Sequence, residues 1–200
     1  SAASDVYKRQ GEMGAATRVY WTFKVLGHDE VSILNGGMAA WRADKANPLD
    51  TAAVKPAPKR FAANFRPELV ATDEEVKQAM ANGTPLIDSR PTAEHLGINK
   101  SGSVAAYGTI PGAISVPGEY MTVNGGGVLR DADAMRALYD MSRAPAEGEA
   151  ITFCNTGHWA SLGWFVNSEI LGNRTALYDG SMAEWTTDAA APVERKVKLD

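Results

Sequence analysis

The sequence predicts an α/β protein with a central, mostly parallel sheet that is flanked by helices on both faces. Three observations predict this class: short apolar segments alternate with helical patterns, Gly or Pro marks most junctions, and 44% of the 200 residues are hydrophobic. Strands that alternate with helices form parallel sheets that are covered on both faces. This length holds one complete α/β domain and a remainder.

Four short apolar segments are predicted as the strands of this sheet: PLID (85–88), GAISV (112–116), AITFC (150–154) and TALY (175–178). Thr72 and Glu75 predict a capping box, so that a helix begins at about residue 73. Gly83 suits the stop of that helix after residue 82. Helical spacing predicts two further helices, over 131–143 and 159–171.

The chain contains two similar stretches, VSILNGGMAAW (31–41) and TALYDGSMAEW (175–185), at a constant offset of 144 residues. Each stretch combines a short apolar strand, an Asn-Gly or Asp-Gly turn and the pattern Met-Ala-x-Trp. A helical pattern precedes each stretch, and in the first copy it covers 15–26. We interpret the match as a tandem duplication whose first copy retains only its last helix and strand.

These patterns predict four regions along the chain. Residues 1–10 have neither an initiator Met nor a signal-peptide pattern and are expected to be non-native. Residues 11–45 are expected to be the remnant of the first copy, 46–63 an Ala-, Pro- and Lys-rich linker, and 64–200 the complete second copy. Because so short a remnant cannot hold its own core, residues 11–41 are expected to dock poorly or to expose apolar surface in isolation.

Composition and charge exclude several function classes. The net charge of −4 gives no basis for binding nucleic acid through bulk electrostatics. No apolar run reaches the ~18 residues that a membrane span needs. One cysteine cannot form an internal disulfide, and it cannot build a multi-thiolate metal site with three scattered histidines. The compartment stays open between cytoplasm and periplasm.

The only cysteine, Cys154, ends a predicted strand, and a glycine-bearing loop then leads into the helix over 159–171. Ligands of open α/β sheets bind at the carboxyl ends of strands. Free N–H groups at the start of the helix are expected to lower the pKa of the thiol and to stabilise an anion or a persulfide. Gly157 permits a positive φ, and His158 can add a hydrogen bond or positive charge. A buried structural cysteine is the alternative.

At these residues the chain resembles the rhodanese-type sulfurtransferases, including the tandem-domain thiosulfate and 3-mercaptopyruvate sulfurtransferases. The resemblance covers 64–190, and 11–41 resembles the end of the family's first domain. Four motifs carry it in order: LIDSRP (86–91), GTIPGAISVP (108–117), CNTGHWAS (154–161) and LYDGSMAEW (177–185).

The resemblance implies a rhodanese-like fold and sulfur transfer through a persulfide on Cys154, without a metal or organic cofactor. The thiolate would take sulfur from a small anionic donor, thiosulfate or 3-mercaptopyruvate, and the loop N–H groups would stabilise the charge. An acceptor, which is cyanide, a thiol or a carrier protein, would then remove the sulfur. The implied substrate-binding residues are Asn155, Thr156, Gly157, His158, Trp159 and Arg90.

Several loop positions depart from the family pattern. Loops tuned for thiosulfate often carry a basic residue just after the cysteine, where this chain has Asn155 and Thr156. Trp159 stands where many members have Arg, and Glu94 stands where some members bind substrate through Arg. These departures leave a sulfur-relay or binding module as the alternative function.

Two further alternatives concern arginine. A cysteine phosphatase needs Arg six residues after its cysteine, and Ala160 occupies that position here, which argues against this class. Arg90, together with Asp88, fits a structural ion pair as well as a substrate-binding role.

Overall fold

The computed structural model describes residues 13–52, 55, 57–145 and 147–199, which fold around one five-stranded sheet. Every neighbouring pair of strands is parallel, and the strand order is β1-β5-β4-β2-β3. The strands are β1 (Val70–Ala71), β2 (Leu86–Asp88), β3 (Ile114–Ser115), β4 (Glu149–Phe153) and β5 (Arg174–Tyr178). The predicted fold class is confirmed. Residues 1–10, which were predicted to be non-native, lie outside the described residues.

The central strands are apolar because helices cover both of their faces. Every residue of β2 is buried, and β4 exposes only Glu149. Each of the four predicted segments overlaps a strand, although β4 and β5 each begin one residue earlier than predicted. The sequence missed β1, an edge strand of two residues in which Val70 pairs with Leu177, because two residues are too few to show a period.

Helices flank the sheet, and capping residues fix several of their ends. They are α1 (Met13–Val25), α2 (Gly37–Ala43), α3 (Asp73–Asn82), α4 (Thr92–His95), α5 (Ala132–Ser142), α6 (His158–Phe165) and α7 (Ser181–Trp185). Thr72 and Glu75 form the predicted capping box of α3, and Gly83 ends that helix with φ 82°. In the described part of the chain, no helix combines the length and apolar character needed to cross a membrane.

Helix α1 packs closely on α6. Met13, Tyr20, Trp21 and Val25 are each no more than 9% exposed. The hydroxyl oxygens of Thr17 and Ser161 lie 3.0 Å apart, and these positions differ by the offset of 144 seen in the sequence match. The expectation that the first segment docks poorly is therefore wrong for α1, because α6 offers it an apolar surface. Helix α2, in contrast, buries none of its residues.

The segment VSIL (31–34), predicted as the strand of the first copy, is not a strand in the structure. A strand is stable only when neighbouring strands pair with its backbone. The five strands that the structure describes all lie between residues 70 and 178, and none of them pairs with 31–34.

Candidate active site

Cys154 lies at the carboxyl end of β4, the middle strand of the sheet, and is 1% exposed. The loop after it ends at Gly157, which has φ 77° and precedes the first residue of α6. A Cβ atom built at Gly157 would collide with the Oδ1 atom of Asp179. This position therefore requires glycine both for its backbone conformation and for its close approach to the neighbouring loop.

Hydrogen-bond donors surround the sulfur of Cys154, yet burial decides its pKa. Burial raises the pKa of the Cys154 thiol, while the backbone N–H groups of Ala160, Thr156 and Trp159 and the hydroxyl of Ser181 act to lower it. The net pKa is raised, contrary to the expectation from the sequence. The loop amides do act in the predicted direction, but removal of the thiolate from water costs more than they return.

Ser181, which the sequence analysis missed, connects the cysteine loop to the loop after β5. Its hydroxyl oxygen accepts hydrogen bonds from Cys154 N at 3.0 Å and from Gly157 N at 3.1 Å. Its single proton has two acceptors in reach, the carbonyl oxygen of Tyr178 at 2.9 Å and the cysteine sulfur. All hydrogen-bonding capacity of this hydroxyl is therefore committed to the site.

The backbone of Ser181 is strained, which indicates a role for its hydroxyl. Its φ is 52°, in the left-handed region that disfavours residues with a Cβ atom. The matching position of the first stretch is Gly37, with φ 57°. This difference between two otherwise similar turns was the signal that could have identified Ser181, because serine stands in place of glycine in the turn that follows β5.

Arg18 of α1 reaches the far end of the cysteine loop. Its Nη1 atom donates to the carbonyl oxygen of Gly157 at 3.5 Å and forms an ion pair with Asp179. Its guanidinium also lies 4.8 Å above the ring of Trp21. The N-terminal segment thus contributes a cation that supports the loop, although Asp179 neutralises its charge.

Asn155 and Thr156, the predicted binding residues directly after the cysteine, differ in their surroundings. Asn155 Nδ2 donates to Glu94 Oε2 at 2.8 Å, and its backbone oxygen accepts from Ala183 N at 2.9 Å. Thr156 has an exposed side chain, while its backbone N–H points to the sulfur. The side chain directly after the cysteine is therefore hydrogen-bonded to a carboxylate.

His158 and Trp159 begin α6 and turn towards different neighbours. The ring of His158 packs against α1, where a Cβ atom built at Gly14 would lie 2.9 Å from its Cδ2 atom. Trp159 packs over Gly118, whose missing Cβ atom makes room for the indole ring. Trp159 thus directs its backbone N–H at the sulfur, while its indole ring forms the wall beside the loop.

Arg90, also predicted to bind substrate, is fully buried in a network around Asp88. Its Nε and Nη2 atoms donate to the Asp88 carboxylate at 2.9 and 2.7 Å, and Nη2 also reaches the Gly108 carbonyl at 2.9 Å. His95 Nδ1 lies 3.0 Å from Asp88 Oδ2, and Thr109 Oγ1 donates to the same oxygen at 2.8 Å. The structure thus brings Arg90 to a carboxylate instead of to the cysteine loop.

The arrangement suits covalent chemistry at sulfur. A single cysteine faces several backbone N–H groups at the start of a helix, which can stabilise negative charge on Sγ or on an atom bonded to it. Within the described ranges, no group of three or more His, Cys, Asp or Glu side chains could hold a metal ion.

Comparison with known proteins places this site in a family. Residues 72–188 match the family model of the rhodanese-like domain. The chain is 31% identical to the thiosulfate sulfurtransferase of Corynebacterium glutamicum over 190 residues, which cover 87% of the chain and 60% of that protein. It is 28% identical to the sulfur carrier protein TtuD of Thermus thermophilus, over 90% of the chain and 67% of that protein.

A solved structure with the same fold is that of SseA from Escherichia coli, a 3-mercaptopyruvate sulfotransferase. It superposes with a TM-score of 0.74 at 28% identity, over 86% of this chain and 64% of that one. The chain spans 60% of the Corynebacterium protein and 64% of SseA, in both cases less than two thirds of the relative's length. On the strength of the matched model and these relatives, this chain belongs to the rhodanese-like domain family.

Proposed function

We propose that this chain is a sulfurtransferase that moves a sulfane sulfur from thiosulfate or 3-mercaptopyruvate to a thiophilic acceptor through a persulfide on Cys154. The observation that carries the proposal is the position of Cys154 at the end of β4, with the N–H groups of Thr156, Trp159 and Ala160 directed at its sulfur. The names of the Corynebacterium and Escherichia coli relatives support both donor classes.

In the first step, the Cys154 thiolate attacks the outer sulfur of thiosulfate or the thiol sulfur of 3-mercaptopyruvate. With thiosulfate, the S–S bond of the donor breaks and sulfite leaves with the bonding electron pair. With 3-mercaptopyruvate, the C–S bond breaks, and the enolate that leaves with the electron pair takes up the thiol proton to become pyruvate. The outer sulfur of the new persulfide carries the negative charge, and the backbone N–H groups that already face Sγ are placed to stabilise it. The N–H groups of Trp159 and Ala160 belong to α6, so these hydrogen-bond donors need little reorganisation when the charge moves outward by one atom.

In the second step, an acceptor nucleophile attacks the outer sulfur, and the S–S bond to Cys154 breaks with its electron pair left on Sγ. Cyanide yields thiocyanate, and a thiol yields a new persulfide. The site thereby returns to the thiolate, which gives ping-pong kinetics. Between the two steps, the burial of Cys154 protects the persulfide from water.

The test of the proposal is intact mass after exposure to thiosulfate and, separately, to 3-mercaptopyruvate. We expect a gain of one sulfur atom that cyanide removes and that Cys154→Ala abolishes. Since the chain has one cysteine, the added mass can be assigned without peptide mapping. If folded protein gains no sulfur from either donor, the proposal is wrong for these donors.

The reactivity of Cys154 is expected to rise with pH beyond the range of an ordinary thiol. Burial raises the pKa of Cys154. Its thiolate fraction should therefore keep rising with pH above about pH 8.5, where the thiolate fraction of a free thiol begins to level off. The measurement is the rate of alkylation by iodoacetamide from about pH 6 to about pH 9.5, read by mass. A small free thiol is the control, and a plateau of the protein rate below about pH 8 would contradict the raised pKa.

A sulfur-relay module is the second candidate function. It is favoured by the absence of a basic residue at the two positions after Cys154, which are Asn155 and Thr156, and by the similarity to a sulfur carrier protein. A relay would load with sulfur but discharge slowly to cyanide and quickly to a protein thiol. Comparison of these two discharge rates from the same persulfide form separates the two functions.

A further inference from the structure

The Glu94 carboxylate sits beside the residue that follows the nucleophile. Asn155 Nδ2 donates to Glu94 Oε2 at 2.8 Å, which brings a negative charge to the mouth of the cysteine loop. Among the described residues, no Lys or Arg forms an ion pair with Glu94. The cation that does contact the loop, Arg18, lies at its other end and is already paired with Asp179. The charge of Glu94 is therefore available to a ligand.

The backbone under Glu94 is fixed from the core side. His95, the next residue of α4, is 4% exposed and its Nδ1 atom lies 3.0 Å from the buried Asp88 carboxylate. The N–H of Glu94 donates to Pro91 O at 2.9 Å, which closes the first turn of this short helix. Glu94 can change rotamer, but its Cα atom stays at the site.

The pairing with Glu94 also determines how the amide of Asn155 is oriented. A carboxylate only accepts hydrogen bonds, so the Asn155 NH₂ group must face it, and the Oδ1 atom is left for another donor. That Oδ1 atom is buried and has no hydrogen-bond partner in the described structure. An unpaired buried acceptor is costly, and its presence beside the nucleophile points to a ligand that supplies an N–H donor.

We propose that Glu94 and Asn155 form a specificity site that selects, as sulfur acceptor, a thiol that carries an ammonium group. The inference rests on the proposed sulfurtransferase function. The ammonium group would face the Glu94 carboxylate and donate an N–H to Asn155 Oδ1. The acceptor thiolate attacks the outer sulfur of the Cys154 persulfide, the Cys154 S–S bond breaks with its electron pair on Sγ, and the acceptor leaves as its own persulfide. No further oxidant or reductant is needed.

The test measures discharge of the persulfide form of the full chain by three small thiols of similar size: cysteamine, 2-mercaptoethanol and mercaptoacetate. Rates are read as loss of one sulfur by intact mass and are corrected for each thiol's thiolate fraction. We expect cysteamine to be about tenfold faster than mercaptoacetate at low salt, with the neutral thiol between them. High salt should compress this ratio because it screens the charge of Glu94.

Two variants separate a local effect from net charge. Glu94→Gln should reduce the cysteamine-to-mercaptoacetate ratio to about twofold. Glu147→Gln removes the same charge just before the start of β4, at the opposite end of that strand from Cys154. This variant should leave the ratio unchanged. A ratio near one in the native chain, a ratio that is insensitive to salt, or a full ratio in Glu94→Gln would each overturn the inference.

Loading distinguishes this inference from the function on which it rests. If neither thiosulfate nor 3-mercaptopyruvate adds sulfur, the proposed donors are wrong. Inorganic polysulfide can then load Cys154, and the discharge ratios still test the Glu94–Asn155 site by themselves.

Discussion

Replacement of Ser181 by Ala should slow sulfur loading of Cys154 by about tenfold to hundredfold, because a hydroxyl that contacts the sulfur and orients its loop is lost. The same change leaves the buried N–H groups of Cys154 and Gly157 without their acceptor. Two unpaired buried donors should lower the free energy of unfolding by about 3 kcal/mol. The measurements are loading rate by intact mass and stability by urea unfolding.

Ser181→Gly is the matched control for this prediction. Glycine also removes the hydroxyl, but it relieves the strain of the positive φ at this position. We expect the glycine variant to be more stable than the alanine variant by about 1 kcal/mol while it loads equally slowly. If Ser181→Gly loads at the native rate, the hydroxyl has no role at the sulfur and only the backbone turn matters.

Asp88→Asn should destabilise the fold by about 3–5 kcal/mol, because it leaves the buried Arg90 without its counter-charge. Burial by itself would raise the pKa of Asp88, but hydrogen bonds and charges from His95 and Arg90 hold that pKa well below its usual range. The carboxylate therefore stabilises the fold fully above the unfolded pKa of about 4, and this stabilisation is lost as the pH falls further towards the folded value. The unfolding free energies of native chain and variant should converge below about pH 4.

Two controls make the Asp88 prediction specific. Asp140→Asn, on the exposed face of α5, should change stability by less than about 0.5 kcal/mol. The double variant Asp88→Asn, Arg90→Met should be less destabilised than the sum of its single changes, since it removes both charges together. Additive effects in this cycle, or no dependence on acid pH, would contradict a buried ion pair that stabilises the β2 loop.

The sequence predicted those features that depend on local pattern. The capping box at Thr72 and the left-handed stop at Gly83 follow from neighbouring residues, and both are present as predicted. The strand that ends at Cys154 was recognisable because it combines an apolar run with a following glycine. The same logic gave the loop amides around the sulfur, which are fixed by the start of α6.

Features that depend on distant contacts could not be predicted in this way. Ser181 meets Cys154 only because β5 lies beside β4, and the sequence does not state which strands are neighbours. The raised pKa of Cys154 depends on how completely the surrounding elements exclude water. The docking of α1 was missed for a similar reason: its apolar stripe has a partner in α6, more than a hundred residues later in the chain.

The contact between α1 and the cysteine loop determines how much of the chain is needed for a working site. The family match begins at residue 72, yet Arg18 holds Gly157 and Asp179, and Thr17 meets Ser161. A fragment trimmed to the matched span would keep Cys154 and strands β2 to β5, but it would lose the edge strand β1 and expose the face of α6 that Tyr20 and Trp21 now cover. We therefore expect the shortest fragment that folds with a working site to be longer than residues 72–188 and to include α1.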